Sequence, residues 1–181
     1  MAAKFIEHRR HTMRTKPGQH LSQAGVDLAR RIGNEMATFD QVLTSTIPRA
    51  FETSIAMGFA VDRQIELLST MPEHKEVSWD AGFYPHACYI REEPQSILAQ
   101  FAKTLAKFHL DLAQSLPEGG HALVISHGGF IEPSAIGCML NLAYETWGPA
   151  CNYCEGIRLK FDEGEFKECE LLRVKGTILI N

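Results

Sequence analysis

Apolar and polar positions along this chain follow two rhythms, one of strands and one of helices. Lys4–Arg10 sets Phe5 and Ile6 among polar residues and predicts a short first strand. Pro17-Gly18 marks a loop. Ser22 then stands where an N-cap is needed, and Leu28, Ile32 and Met36 recur every four residues, so a helix with one buried face follows, with Gly33 near its end. Gln41–Ser45 is short, apolar and β-branched and predicts a second strand. Pro48 opens a helix through Met57, which Gly58 stops. Pro94–Leu116 carries Ile97, Phe101, Leu105, Phe108 and Leu112 at helical spacing, and Pro117-Glu118-Gly119-Gly120 ends it. Ala122–Ser126 is almost wholly apolar, as a central strand of a parallel sheet is. Phe130–Leu140 predicts a helix with Pro133 in its first turn. Gly156–Phe161 and Glu165–Val174 flank Asp162-Glu163-Gly164, a hairpin turn between two strands.

The stretch 61–93 keeps neither rhythm. It holds Pro72, Gly82 and Pro85 and is read as a partly structured excursion with a short strand at Ile65–Leu68. Long excursions inside compact domains are often functional. The order strand, helix, strand, helix, excursion, helix, strand, helix, hairpin predicts an α/β fold. Its expected form is a three-layer sandwich: a mainly parallel sheet, helices on both faces and a C-terminal β-hairpin. No internal repeat or boundary divides the chain, so one domain is expected over 1–181.

Composition narrows this further. The 181 residues, 45% apolar and 22% charged, suit one globular domain and exclude disorder. With 18 Lys+Arg against 22 Asp+Glu the net charge is −4, which argues against a nucleic-acid binder but not against one positive pocket. No apolar secretory segment follows Met1-Ala2-Ala3-Lys4, and no stretch approaches the roughly 20 apolar residues that cross a bilayer. Five cysteines, an odd number, do not suggest a disulfide framework. The expectation is a cytoplasmic protein with no membrane partner.

Chemistry gathers at three strand ends. The first gives Arg10-His11, with Arg14 close behind; the second gives Thr44-Ser45 and Arg49; the third gives Ser126-His127-Gly128-Gly129. Ligands of open parallel sheets bind beyond the carboxyl ends of the strands, so these clusters converge at one edge. Arginine is a forked, permanent donor for phosphate oxygens. Histidine beside arginines stays neutral, because a like charge disfavours the imidazolium, and a neutral imidazole can attack phosphorus.

These residues carry a family resemblance. Arg10-His11-Thr12 resembles the Arg-His-Gly motif of the histidine phosphatase superfamily, which includes the cofactor-dependent phosphoglycerate mutases. Leu21-Ser22-Gln23-Ala24-Gly25 is similar to that family's Leu-Thr-x-x-Gly helix start. Thr44-Ser45-x-x-Pro48-Arg49-Ala50-x-x-Thr53 and Val124-Ile125-Ser126-His127-Gly128-Gly129 resemble its next two blocks, in family order. The resemblance implies an α/β sandwich and a metal-independent, cofactor-free phosphomonoester hydrolase acting through phosphohistidine. It implies His11 as nucleophile, His127 as stabiliser of the moving phosphoryl group, and Arg10, Arg14 and Arg49 with Gly128 as phosphate binders. The partner would be a phosphorylated small molecule or a phosphoprotein. A binding module that has lost turnover and a phosphohistidine protein phosphatase are the alternatives. A mutase fits less well, since a chain this short leaves little for a large lid.

The sequence departs from the family twice. Thr12 replaces the motif glycine, and is expected either to narrow the pocket or to lend its hydroxyl to phosphate. The family's acid, a carboxylate of the excursion, has three candidates: Glu73, Glu76 and Asp80. Trp79-Asp80-Ala81-Gly82 resembles a Trp-Glu-Gly stretch that follows the acid in some members, which favours Glu76 or Glu73 over Asp80, with Glu76 taken as proton donor. Some small members lack the acid. The remaining histidines read as structural, as do Arg9, Arg30 and Arg31. Cys151 and Cys154 have zinc-pair spacing but no second pair, and they lead into a strand.

Overall fold

In a computed structural model, which describes residues 2–176, six strands form one sheet in the order β3-β2-β4-β1-β5-β6. In chain order the elements are β1 (Lys4–Arg10), α1 (Gln23–Gly33), β2 (Gln41–Thr44), α2 (Pro48–Met57), β3 (Arg63–Gln64), α3 (Phe83–Glu92), α4 (Ile97–Ser115), β4 (His121–Ser126), α5 (Ile131–Cys138), β5 (Gly156–Asp162) and β6 (Glu165–Leu172). Strands β3, β2, β4 and β1 run parallel, and the β5–β6 hairpin adds an antiparallel edge beside β1. This is the mainly parallel α/β sheet with a C-terminal hairpin expected above. Residues 1 and 177–181 lie outside the described residues, and among the described ones no helix is long and apolar enough to cross a membrane.

Side-chain alternation along β4 makes the layers. Leu123 and Ile125 pack with Leu28, Ala29, Ala50 and Met57 of α1 and α2. Ala122 and Val124 pack on the other face with Leu98, Phe101, Leu105, Ile131 and Ala135 of α4 and α5. A strand covered on both faces must be apolar at every position, which is why the Ala122–Ile125 run is so legible.

The helix ends obey local chemistry. The Ser22 hydroxyl accepts the Gly25 N–H at the start of α1, Pro48 sits in the first turn of α2, and Gly58 closes α2 in the left-handed region at φ 95°. Gly25 faces the Met13 carbonyl so closely that a Cβ would lie 2.1 Å from its oxygen. Gly25→Ala is expected to cost several kcal/mol, because backbone cannot yield as a side chain can. Urea denaturation at neutral pH measures it, and a loss below 1 kcal/mol would show that the loop after β1 moves freely.

Three expectations need correction. The strand expected at Ile65–Leu68 is a single 3₁₀ turn at Glu66–Leu68, and the paired residues are Arg63 and Gln64. β2 ends at Thr44, whose carbonyl accepts the Ile65 N–H at 2.8 Å, and the chain then turns into the 3₁₀ segment. The excursion also contains α3, with Phe83, His86, Ala87 and Ile90 buried. Pro85 falls in the first turn of α3, where its missing N–H costs nothing. Finally, α4 begins at Ile97 after the Ser96 cap and turns Leu98 inward, leaving Ile97 50% exposed.

Candidate active site

The carboxyl ends of β1, β2 and β4 lie side by side. The His11 N–H donates to the Ser126 carbonyl at 2.8 Å and the Ser45 N–H to the Ile125 carbonyl at 3.0 Å. These bonds bring the three polar clusters of the sequence to one edge. A cavity of about 390 Å³ opens there, lined by Arg10, His11, Arg14, Arg49, His127 and Gly128, and also by Lys16, Met71, Trp79 and Tyr153.

His11 and His127 are buried, with ring centroids 5.1 Å apart. His11 Nδ1 lies 2.6 Å from the Thr12 carbonyl. A carbonyl only accepts, so Nδ1 carries the proton and Nε2 keeps its lone pair. That nitrogen accepts from Arg49 Nε at 3.0 Å. Burial pulls the His11 pKa down to about 2. The Thr12 bond opposes this, and His127, Arg49 and Arg10 add to it. Burial and then Arg49 and Arg10 bring His127 to about 3. His127 Nε2 is 2.7 Å from the Ser45 hydroxyl, whose oxygen also accepts the Ile47 N–H at 3.3 Å. His127 Nδ1 is buried and without a protein partner.

Each arginine is held differently. Arg10 donates to the Cys151 carbonyl at 2.9 Å and lies over the rings of Tyr153 and Trp79, 4.8 and 5.4 Å from their centroids. Gly128 lets this stack close over the site: a Cβ there would fall 2.8 Å from the Trp79 ring and 3.2 Å from the Arg10 guanidinium carbon, so the stack would have to shift. Arg14 uses one nitrogen on the Pro17 and Gly18 carbonyls, at 3.0 and 2.6 Å. Arg49 bridges His11 and the Gln19 amide oxygen, and burial together with Arg14 and Arg10 lowers its pKa.

Other predicted residues fall elsewhere. Thr12 does not reach the pocket: its hydroxyl donates to the Gly25 carbonyl at 3.1 Å and its N–H to Thr53 at 3.0 Å. It neither narrows the site nor offers a phosphate donor; it ties β1 to α1 and α2. Glu73, Glu76 and Asp80 do not line the cavity either. Glu76 sits 3.4 Å from His74, and Asp80 accepts from Ser78 in a neighbouring cleft that shares only Arg10 and Trp79 with this one. Glu76 as proton donor is therefore not supported by the geometry. The cysteine pair is structural: burial raises the Cys151 thiol well above its usual range and Cys154 to about 11, while their carbonyls hold Arg10 and Arg9.

Sequence reasoning missed Lys16, Gln19, Met71, Trp79 and Tyr153. Lys16, Gln19 and Met71 come from loops without period, while Trp79, in the Trp79–Gly82 stretch, and Tyr153, inside the Cys-x-x-Cys stretch, lie in segments singled out for other reasons.

No protein-family model and no curated protein matches the sequence. Solved structures do match. Phosphoserine phosphatase of Entamoeba histolytica, in complex with 3-phosphoglyceric acid, superposes with a TM-score of 0.68 at 17% identity, covering 95% of this chain and 98% of that one. Mycobacterial glucosyl-3-phosphoglycerate phosphatase gives 0.63 at 17% identity over 93% and 97%. Phosphoglycerate mutase of Bacillus anthracis gives 0.55 at 15% identity over 92% and 91%. The chain thus has the fold shared by these phosphatases and this mutase, the fold that the resemblance to the histidine phosphatase superfamily implied.

Proposed function

We propose that this protein is a phosphomonoester hydrolase that acts through a phosphohistidine at His11 and needs no metal ion. One observation carries the reading. The Thr12 carbonyl fixes the proton of His11 on Nδ1, so that an unprotonated Nε2 faces a pocket lined by Arg10, Arg14, Lys16 and Arg49.

The chemistry follows from that arrangement. The arginines hold the phosphoryl oxygens, and Arg49 exchanges His11 Nε2 for one of them. The freed lone pair attacks phosphorus in line with the leaving oxygen. The transition state is loose, with charge on the equatorial oxygens, where the cations and His127 stabilise it. Side-chain cations supply the positive charge that metal ions supply in other phosphoryl-transfer sites. Water then releases phosphate from His11. The names of the structural neighbours refer to phosphoserine and phosphoglycerate, so a phosphorylated small molecule is the substrate scope.

The rival is a binding module without turnover; the observation on its side is that Arg49 occupies the nucleophile's lone pair. Aryl phosphate in the presence of a metal chelator separates the two. We expect sustained phosphate release and, on acid-free quenching, one phosphoryl group on the protein. Calorimetry that finds phosphate binding with neither release nor phosphoprotein would establish the binding module instead.

A further inference from the structure

The described walls of the cavity hold four cations and no carboxylate. Glu73 is exposed, Glu76 leans on His74, and Asp80 lies in the next cleft. The imidazoles supply no acid: both are neutral, one committed to the Thr12 carbonyl and the other to Ser45. The remaining protons belong to the Tyr153 phenol and to Lys16. Phenols and ammonium groups as classes are weaker acids than carboxylic acids by about six pKa units. An alkoxide leaving group would thus depart without a matched proton donor, at a large cost in rate.

The cations point to what departs instead. A phosphoryl dianion needs two positive charges, and the wall offers four. Lys16 has no partner among the described residues, and Arg14 commits only one of its nitrogens. Both follow β1 in the loop after His11. They can receive a second negative charge, that of the leaving group.

Building on the hydrolase reading above, we infer that the preferred substrates are phosphoryl groups joined to another acid, that is, acyl phosphates and phosphoric anhydrides. In the first step the bond from His11 Nε2 to phosphorus forms and the bridging P–O bond breaks. Its electron pair stays on the leaving oxygen as a carboxylate or phosphate anion beside Lys16 and Arg14. In the second step water attacks phosphorus, the P–N pair returns to Nε2, inorganic phosphate leaves, and the remaining proton passes to solvent.

The test compares kcat/KM for aryl phosphates of graded phenol acidity, for acetyl phosphate and pyrophosphate, and for phosphoserine and glycerol phosphate. We expect kcat/KM to fall on the order of tenfold for each unit rise in leaving-group pKa, since a loose transition state without an acid puts nearly full charge on the leaving oxygen. Acetyl phosphate or pyrophosphate should exceed phosphoserine by roughly a thousandfold or more, and whichever leads identifies the acid. Lys16→Gln should lower that leading rate by roughly tenfold. A shallow dependence, below about threefold per unit, overturns the inference. So does an Asp80→Asn, Glu73→Gln or Glu76→Gln variant that selectively loses the alkyl esters. Both outcomes leave the hydrolase reading standing, because aryl phosphate turnover through His11 persists. Silence in every arm, with no phosphoprotein, overturns both.

Discussion

His11→Ala is expected to lower kcat toward an aryl phosphate by on the order of 10⁴-fold or more, with the protein still folded. The size follows from the absence of a substitute nucleophile. His127 is the other imidazole at the pocket, but its Nε2 is engaged by Ser45. The fold should survive, because the backbone bond from His11 to Ser126 remains. The ring is neutral and lines an open pocket, so its truncation removes two hydrogen bonds but no ion pair, and the loss of stability should be small. Phosphate affinity should persist as well, since the substitution releases Arg49 from Nε2 to bind an oxygen. Steady-state kinetics, thermal melting and phosphate calorimetry on one preparation check all three points. Activity within tenfold of wild type would remove His11 from the nucleophile's role.

Much of this site was legible because its parts obey local rules. Arg10, His11, Ser45 and His127 each sit at or just past the end of a strand whose own pattern was clear, and Arg49 opens the helix that Pro48 announces. Parallel pairing of β2, β4 and β1 then leaves only one edge where they meet. The cap at Ser22 and the stop at Gly58 were readable for the same reason: the groups that fix them lie within four residues. What failed was non-local. The fate of Thr12 depends on Gly25 in α1 and Thr53 in α2, which no spacing announces. Trp79 and Met71 reach the pocket from an aperiodic loop. The carboxylates were judged by a motif-like neighbour rather than by a direction, and direction is what a loop withholds. α3 was hidden by Pro85 and Gly82, although its buried Phe83, Ala87 and Ile90 are spaced as a helix requires.

Stability should fall steeply below about pH 6.5, and histidines account for it. Four lie at or behind the site. His8 and His109 are fully buried, with ring centroids 5.0 Å apart; His8 bonds the Ser126 hydroxyl at 2.6 Å and His109 the Leu105 carbonyl at 2.7 Å. Burial lowers His109 to about 4 and His8 well below its usual range, where His109 and His127 push it further. His11 and His127 stand at about 2 and about 3. In all four the folded pKa lies below the unfolded value of 6.5. Above 6.5 both states are neutral and the full stability is present. Below it the unfolded chain takes up protons that the native state refuses, and the loss continues down to the folded values. At pH 5 the gap of 1.5 units costs about 2 kcal/mol per histidine, so His8 and His109 alone remove about 4 kcal/mol from a total of order 5–15. Glu132, buried and raised, works in the opposite sense, but it is one group against these four and His86, which burial also lowers. Urea denaturation at pH 7.5 and pH 5.0 should show this loss, and His109→Leu should recover about 2 kcal/mol of it at pH 5. The Leu105 carbonyl lies four residues before residue 109 in α4 and keeps its helical hydrogen bond, so the variant strands no acceptor. Equal stability at the two pH values would mean that these rings accept protons inside the fold, and that the pocket they support is wetter than its packing implies.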